Sequence, residues 1–291
     1  MKTILVPTDF SSCAANAVQY AAALARQTRS RLLLVHTVNL PASVMPEGLP
    51  LYSLDSQLIE DCEEELFKVA ELIKKEFNFE TETFCLYGPL IPHLNELVKT
   101  QAVDLVVMGT HGAGNFLDSL MGTNASAYIK EALCPVLVIP AHTTFSPVRH
   151  IAYASDFETE ETVYLKQLFL LASGFNAEVN IINIQSEKQL NIVSDSQVFK
   201  SIVKHFPHNR YSVAQLRNND IIAGLQEFVQ EDQAEVLAVS IQDRGLLEEL
   251  FHHSITRKLA LRAFVPLLTL PATSYQFQNQ RTATKKPAPV A

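Results

Sequence analysis

The residues of this chain best suited to chemistry lie in one stretch, "GTHGAGNFLDSLMGTNAS" (109–126), directly after the apolar run "VDLVVM". The chain has nine glycines, and four of them, Gly109, Gly112, Gly114 and Gly122, fall in this loop. The spacing Gly109-x2-Gly112-x9-Gly122-Thr123, with a helical pattern starting near Thr123, suits the binding of an anion. Glycines let backbone N–H groups approach a ligand closely and adopt positive φ. A helix N-terminus adds unpaired donors and the positive end of a dipole, which together hold phosphate. Thr123 would cap that helix and offer its hydroxyl to a phosphate oxygen. The stretch has no Gly-Lys-Ser/Thr and no lysine, so it is not a Walker A loop. Nor is it a GxGxxG dinucleotide fingerprint, because it follows a fourth strand-like run and not a first.

The chain carries a second copy of the pattern to compare. "GTHGAGNFLDSLMGTNASAYIKEALCPVLVIP" aligns without a gap, at an offset of 131, with "SIQDRGLLEELFHHSITRKLALRAFVPLLTLP". "ILVPTDF" (4–10) likewise matches "IAYASDF" (151–157) at an offset of 147. The 16-residue difference places an insertion in the first half, after Asn39, where "LPASVMPEGLPLYSLDSQ" (40–57) reads as a long loop. Repeats of this kind outrank local signals in deciding a fold. In the second copy Gly109, Gly112, Gly122 and Thr123 become Ser240, Asp243, His253 and Ser254, while Gly114 is kept as Gly245. Gly114 is therefore assigned to the turn. The expectation is that folding does not demand the other three glycines and that the anion site belongs to the first half. Asp243 would set a carboxylate against a phosphate, and His253 would obstruct close approach of the backbone.

The elements that must position this loop alternate. Apolar runs "TILVPT", "RLLLVHTV", "ETFCLYG", "DLVVMG" and "PVLVIP" are separated by the amphipathic stretches "AANAVQYAAALARQT", "SQLIEDCEEELFKVAELIKKEF", "IPHLNELVKTQ" and "NASAYIKEAL". The second half follows with "HIAYAS", "EVNIINI", "YSVAQL", "EVLAVS" and "VPLLTL". Unbroken Val/Leu/Ile runs between helices predict parallel strands buried on both faces. The predicted class is α/β: two tandem doubly wound sandwiches, each with a five-stranded parallel sheet. The domains are expected at 1–141 and 148–272, with a disordered tail over 273–291.

This spacing, after a fourth parallel strand in a domain opening with "VPTDFS", resembles the universal stress protein family, and the resemblance covers both halves. It implies an adenine nucleotide alpha hydrolase-like fold. The family's nucleotide-binding branch carries G-x2-G-x9-G-(S/T), which residues 109–123 satisfy in full. The resemblance implies ATP, with Mg, lying across the carboxyl ends of strands one and four in the first domain only. Gly109, Gly112, Gly122 and Thr123, flanked by Met108, His111 and Asn124, would then hold phosphates and ribose. Asp9 would meet the ribose or the phosphate-bound cation, and Pro7, Thr8, Thr37 and Val38 would lie near the adenine. Asp9 has a second reading as a helix cap, since Asp156 occupies the matching position of the second half. His111 likewise reads as a solvated loop histidine.

No catalytic constellation accompanies the loop: there is no nucleophile elbow, no metalloprotease helix and no deaminase set. Lys130 falls about two turns into the helix, too far to clamp a γ-phosphate. The reading is a stress-response regulatory protein that binds ATP, with at most slow hydrolysis. The alternatives are a nucleotide-independent interaction protein and a slow ATPase. The second half would serve as an intrachain pseudo-dimer partner through the strands "PVLVIP" and "VPLLTL", with a homodimer of the whole chain as a further expectation. A net charge of −8 argues against nucleic acid as a partner. No apolar run reaches membrane-spanning length and no signal peptide is read, so the cytoplasm is expected. Cys13, Cys62, Cys85 and Cys134 form no CxxC pair and are expected to be buried reduced thiols. The acidic run "EDCEEEL" is expected to be a wet helix face, with no metal held by protein side chains alone.

Overall fold

The structure, a computed structural model, describes residues 1–38, 51–110, 123–155, 157, 161–185, 200, 202–241 and 265–272. The expected segments 273–291 and the glycine loop 111–122 lie outside them, as do Asp156, Asp243, Gly245, His253 and Ser254.

Among the described residues ten strands form one sheet. The first half contributes β1 (Thr3–Pro7), β2 (Arg31–Val38), β3 (Glu82–Tyr87), β4 (Leu105–Gly109) and β5 (Val136–Ile139). The second contributes β6 (His150–Ala154), β7 (Glu178–Gln185), β8 (Tyr211–Arg217), β9 (Val236–Ser240) and β10 (Leu267–Leu270). Their order is β3-β2-β1-β4-β5-β10-β9-β6-β7-β8, so each half runs outward in the same sequence. Neighbours are parallel throughout except at the centre, where β5 and β10 pair antiparallel through Leu267↔Val138, Leu268↔Leu137 and Thr269↔Val136. Two strands that would otherwise be open edges thus cover each other.

Helices α1 (Ser12–Thr28), α2 (Leu51–Phe77), α3 (Leu90–Thr100), α4 (Thr123–Glu131), α5 (Thr162–Phe175) and α6 (Ile221–Glu231) cover both faces. On one face a single apolar core runs through both halves, joining Ala17, Ala21 and Leu24 of α1 to Leu165, Leu168 and Phe175 of α5. On the other face α3 and α4 cover the first half and α6 the second. β1 is buried along its whole length, as a strand with helices on both sides must be. Each fully buried Val or Leu contributes about 1.5–3 kcal/mol relative to exposure.

α2 differs from expectation at its start. It begins at Leu51, inside the stretch read as loop from its prolines. Pro50, just before the helix, is a residue compatible with a helix start, and no proline follows it in α2. The buried residues Cys62, Leu66 and Ile73, with Val69 and Phe77 packed beside them, form a single stripe. Glu60, Asp61, Glu63, Glu64 and Glu65 face solvent, and Lys68 pairs with Glu64 and Glu65, each at 2.9 Å.

The cysteines require a correction. Cys62 and Cys85 are joined as a disulfide between α2 and β3, with Cα atoms 6.3 Å apart. Cys13 and Cys134 form no disulfide, and both are buried. Proximity in sequence was the wrong test. α2 turns back across β3, and both sulfurs fall in the layer between helix and sheet.

The connection between the halves is bonded to α1. Asn16 Nδ2 donates to the carbonyls of Pro140 (3.1 Å) and Thr143 (3.2 Å). Gln27 Nε2 donates to the carbonyls of Val148 (3.3 Å) and Phe175 (3.1 Å), and its Oε1 accepts from Val148 N. Phe145 meets Tyr20 edge-on, with ring centroids 5.1 Å apart.

Candidate functional site

In the first half the strand order reverses between β1 and β4, because the chain places β2 and β3 on one side of β1 and β4 and β5 on the other. Ligands of open α/β sheets bind at the carboxyl ends of strands at such a switch point. β1 and β4 are paired there through Ile4↔Leu105 and Leu5↔Val106. Beyond β1 come Thr8 and Asp9, and β4 ends at Gly109, followed by the glycine loop.

The β1 side is a tight, well-bonded turn. Thr8 is buried, and its N–H donates to the Val35 carbonyl (2.9 Å). Its Oγ1 accepts from Phe10 N (3.1 Å), which helps hold Phe10 at φ 60. Asp9 is exposed, and its Oδ1 accepts from Ser11 N (3.1 Å) and Ser11 Oγ (2.5 Å). Ser11 in turn caps α1, its Oγ accepting from Ala14 N at 3.2 Å. Asp9 therefore braces the cap from two residues before it, and its position at the strand end leaves the carboxylate exposed.

Sequence reading missed two residues here. His36, at the end of β2, donates from Nδ1 to the Thr8 carbonyl (2.7 Å). Phe10 lies against that ring, with centroids 4.7 Å apart. The available signal was a histidine next to a threonine near the end of the otherwise apolar run "LLLVHTV".

On the β4 side Met108 is buried and Gly109 half-buried, and Thr110 N donates to the Ile139 carbonyl (3.1 Å). Gly109 carries the second correction. A Cβ added there would lie 2.9 Å from the Cys13 carbonyl oxygen and 2.9 Å from its Sγ. The first turn of α1 packs so closely on β4 that a side chain here would force the backbone of α1 to shift, so packing favours this glycine. The matching residue of the second half is Ser240, and Glu160, the counterpart of Cys13 there, lies outside the described residues.

The remaining expected positions divide plainly. Pro7 is buried in β1, pairing with Val35, and Thr37 and Val38 are half-buried at the end of β2, pairing with Leu86 and Tyr87. Thr123 is the first residue of α4 and Asn124, next to it, is exposed. His111, Gly112 and Gly122 lie outside the described residues. Among the described residues there is no cluster of three His, Cys, Asp or Glu able to hold a metal, and no helix long and apolar enough to cross a membrane.

Residues 1–140 match the profile of the universal stress protein family. A universal stress protein of Methanocaldococcus jannaschii is 30% identical over 141 residues, spanning 47% of this chain and 81% of that protein. The chain belongs to the universal stress protein family. A second universal stress protein of the same organism is 30% identical over 155 residues, covering 47% of this chain and 94% of its own length. The crystal structure of a universal stress protein from Archaeoglobus fulgidus covers 93% of this chain and 98% of that one, with a TM-score of 0.69 and 16% identity. At that identity the likeness bears on the fold, and it extends over both halves of this universal stress protein.

Proposed function

We propose that this universal stress protein binds an adenine nucleotide, ATP with Mg, at the β1–β4 switch point of its first half, and acts as a regulator and not as an efficient enzyme. One observation carries the reading. The strand-order reversal sets the exposed Asp9 carboxylate at one strand end and the opening of a glycine loop at the other, with α4 beginning at Thr123. A phosphate would meet backbone N–H groups and a helix N-terminus there. Asp9 suits a cation carried on that phosphate, which would neutralise charge that no lysine of the glycine loop covers. Pro7, Thr8, Thr37 and Val38 would flank the base, and Met108, Gly109, His111, Gly112, Gly122, Thr123 and Asn124 would hold ribose and phosphates. With Gly109 explained by packing, the argument from glycines rests on Gly112 and Gly122.

On this reading residues 1–141 form the binding domain and residues 148–272 a nucleotide-free partner domain, in the cytoplasm. The antiparallel β5–β10 pairing supports the partner role, since it joins the halves as two subunits would be joined. A ligand regulates only through unequal affinity for two states of the protein.

The test is nucleotide extracted from freshly purified protein and identified by mass spectrometry, with calorimetry of Mg-ATP binding. Gly122→Asp is expected to weaken binding at least tenfold, about 1.4 kcal/mol. Absence of extracted nucleotide together with no heat and no thermal shift on adding Mg-ATP would overturn the proposal and favour an interaction protein. Phosphate release exceeding that of Gly122→Asp at matched saturation would instead favour an ATPase.

A further inference from the structure

The Cys62–Cys85 pair belongs neither to the candidate site nor to the core in the ordinary way. Among the described residues β3 is the outermost strand of the sheet on its side, paired with β2. The disulfide fastens it to α2 over a sequence separation of 23. The two ends differ in access. Cys62 is 5% exposed on the inner stripe of α2, whereas Cys85 is half-buried on β3. The other thiols are withheld: Cys13 and Cys134 are both buried, and burial, with the Asp104 carboxylate adding to it, pushes the Cys134 thiol well up. In a reducing compartment a disulfide placed near a surface is more often transient than structural.

We propose that Cys62–Cys85 is a thiol–disulfide exchange site for a low-molecular-weight thiol and its disulfide, entered at Cys85, and that its reduction releases α2 from the edge strand β3. The chemistry balances without a further reagent. A small thiolate attacks Cys85 Sγ, the bond to Cys62 breaks, and Cys62 leaves as a thiolate that takes up a proton. A second thiolate then attacks the mixed disulfide, giving the small disulfide and the Cys85 thiol. Two small thiols are oxidised and one protein disulfide is reduced. The consequence reaches β2, because Cys85 pairs in register with His36, whose ring holds the Thr8 carbonyl.

The experiment uses the full chain equilibrated, without denaturant, across a series of glutathione to glutathione-disulfide ratios. Acid quenching, alkylation and peptide mass spectrometry follow. Cys62 and Cys85 are expected to become alkylated together as the ratio rises, whereas Cys13 and Cys134, which form no disulfide, are alkylated at every ratio. Hydrogen exchange across 82–87 is expected to quicken at least tenfold on reduction, with 3–7 of β1 unchanged. The variant Cys62→Ser is expected to form a mixed disulfide with glutathione at Cys85, which shows the point of entry. The proposal is overturned if Cys62 and Cys85 are reduced only in denaturant, if they stay reduced at every ratio, or if exchange across 82–87 does not respond. A Cys62→Ser protein that takes no glutathione overturns the assignment of Cys85 as the attacked sulfur.

Discussion

Replacing Gly109 by alanine tests whether this glycine is kept for packing or for a ligand. The new Cβ would sit 2.9 Å from both the carbonyl oxygen and the Sγ of Cys13, and 3.2 Å from its carbonyl carbon. The sulfur can rotate away, but the oxygen belongs to the first turn of α1 and moves only with the helix. α1 is fixed at its start by the Ser11 cap and along its length by Ala17, Ala21 and Leu24. Forced overpacking of this kind costs about 1–3 kcal/mol. At about 2 kcal/mol the folded-to-unfolded ratio falls about 30-fold, and the melting temperature of a unit this size falls by about 4–8 °C. The assay is urea unfolding without nucleotide, where the midpoint should fall at constant slope. Gly109→Ala with Cys13→Ala should recover only part of the loss, because the oxygen contact remains. A Gly109→Ala midpoint within about 0.5 kcal/mol of the parent would refute the packing account and return Gly109 to the ligand argument.

Two other outcomes are expected. Gln27→Ala leaves the Val148 and Phe175 carbonyls and the Val148 N–H without their partner, at a cost of about 1–3 kcal/mol. Gln27→Glu should cost at least as much, since it turns a donor facing two carbonyls into an acceptor; equal stability of Gln27→Glu and parent in urea would contradict this. Stability should also fall as pH rises above about 9, where an unfolded thiol ionises. Burial pushes the thiol of Cys134 and the hydroxyls of Tyr128 and Tyr20 up, so in this range the unfolded chain sheds protons that the folded chain keeps. Each such group removes up to about 1.4 kcal/mol per pH unit. Urea midpoints from pH 7 to 10 measure the slope, which Cys134→Ala should reduce, and a flat profile would count against the burial account.

The strands were legible because parallel strands covered on both faces are apolar through their centres, and runs such as "RLLLVHTV" have few other uses. α2 was legible from its stripe, but its start was not, since the prolines before it read as loop. The disulfide was hidden because it is a tertiary fact. Cys62 lies in the stripe 62, 66, 69, 73, 77 and Cys85 on the strand beneath, so assigning each cysteine to a layer would have brought them together. The reading of Gly109 failed for a different reason. Its close neighbour is the Cys13 carbonyl, a tertiary contact that aligning the two halves does not display. His36 was passed over because its partner is a backbone carbonyl, which no sequence pattern displays.

The two halves also show which parts of the site are owed to the fold. At the end of β6, Ser155 repeats what Thr8 does at the end of β1: its N–H donates to the Ile182 carbonyl, and its Oγ accepts from Phe157 N at 3.1 Å. Phe157 sits at φ 58, as Phe10 sits at φ 60. Asn183 donates to the Ser155 carbonyl at 2.9 Å, as His36 donates to that of Thr8. Asn and His have in common only a short reach and one N–H to give, so that position requires a donor and nothing more specific. The shared "TDF" and "SDF" are accounted for by a left-handed turn that a hydroxyl must hold. The hydroxyl and phenylalanine positions therefore say nothing in favour of a ligand, and Asp9 alone of the three bears on one. What remains unshared is Gly112 against Asp243 and Gly122 against His253. A ligand that distinguishes the halves has to do so through those substitutions, which makes Gly122→Asp a more searching variant than any change at the end of β1.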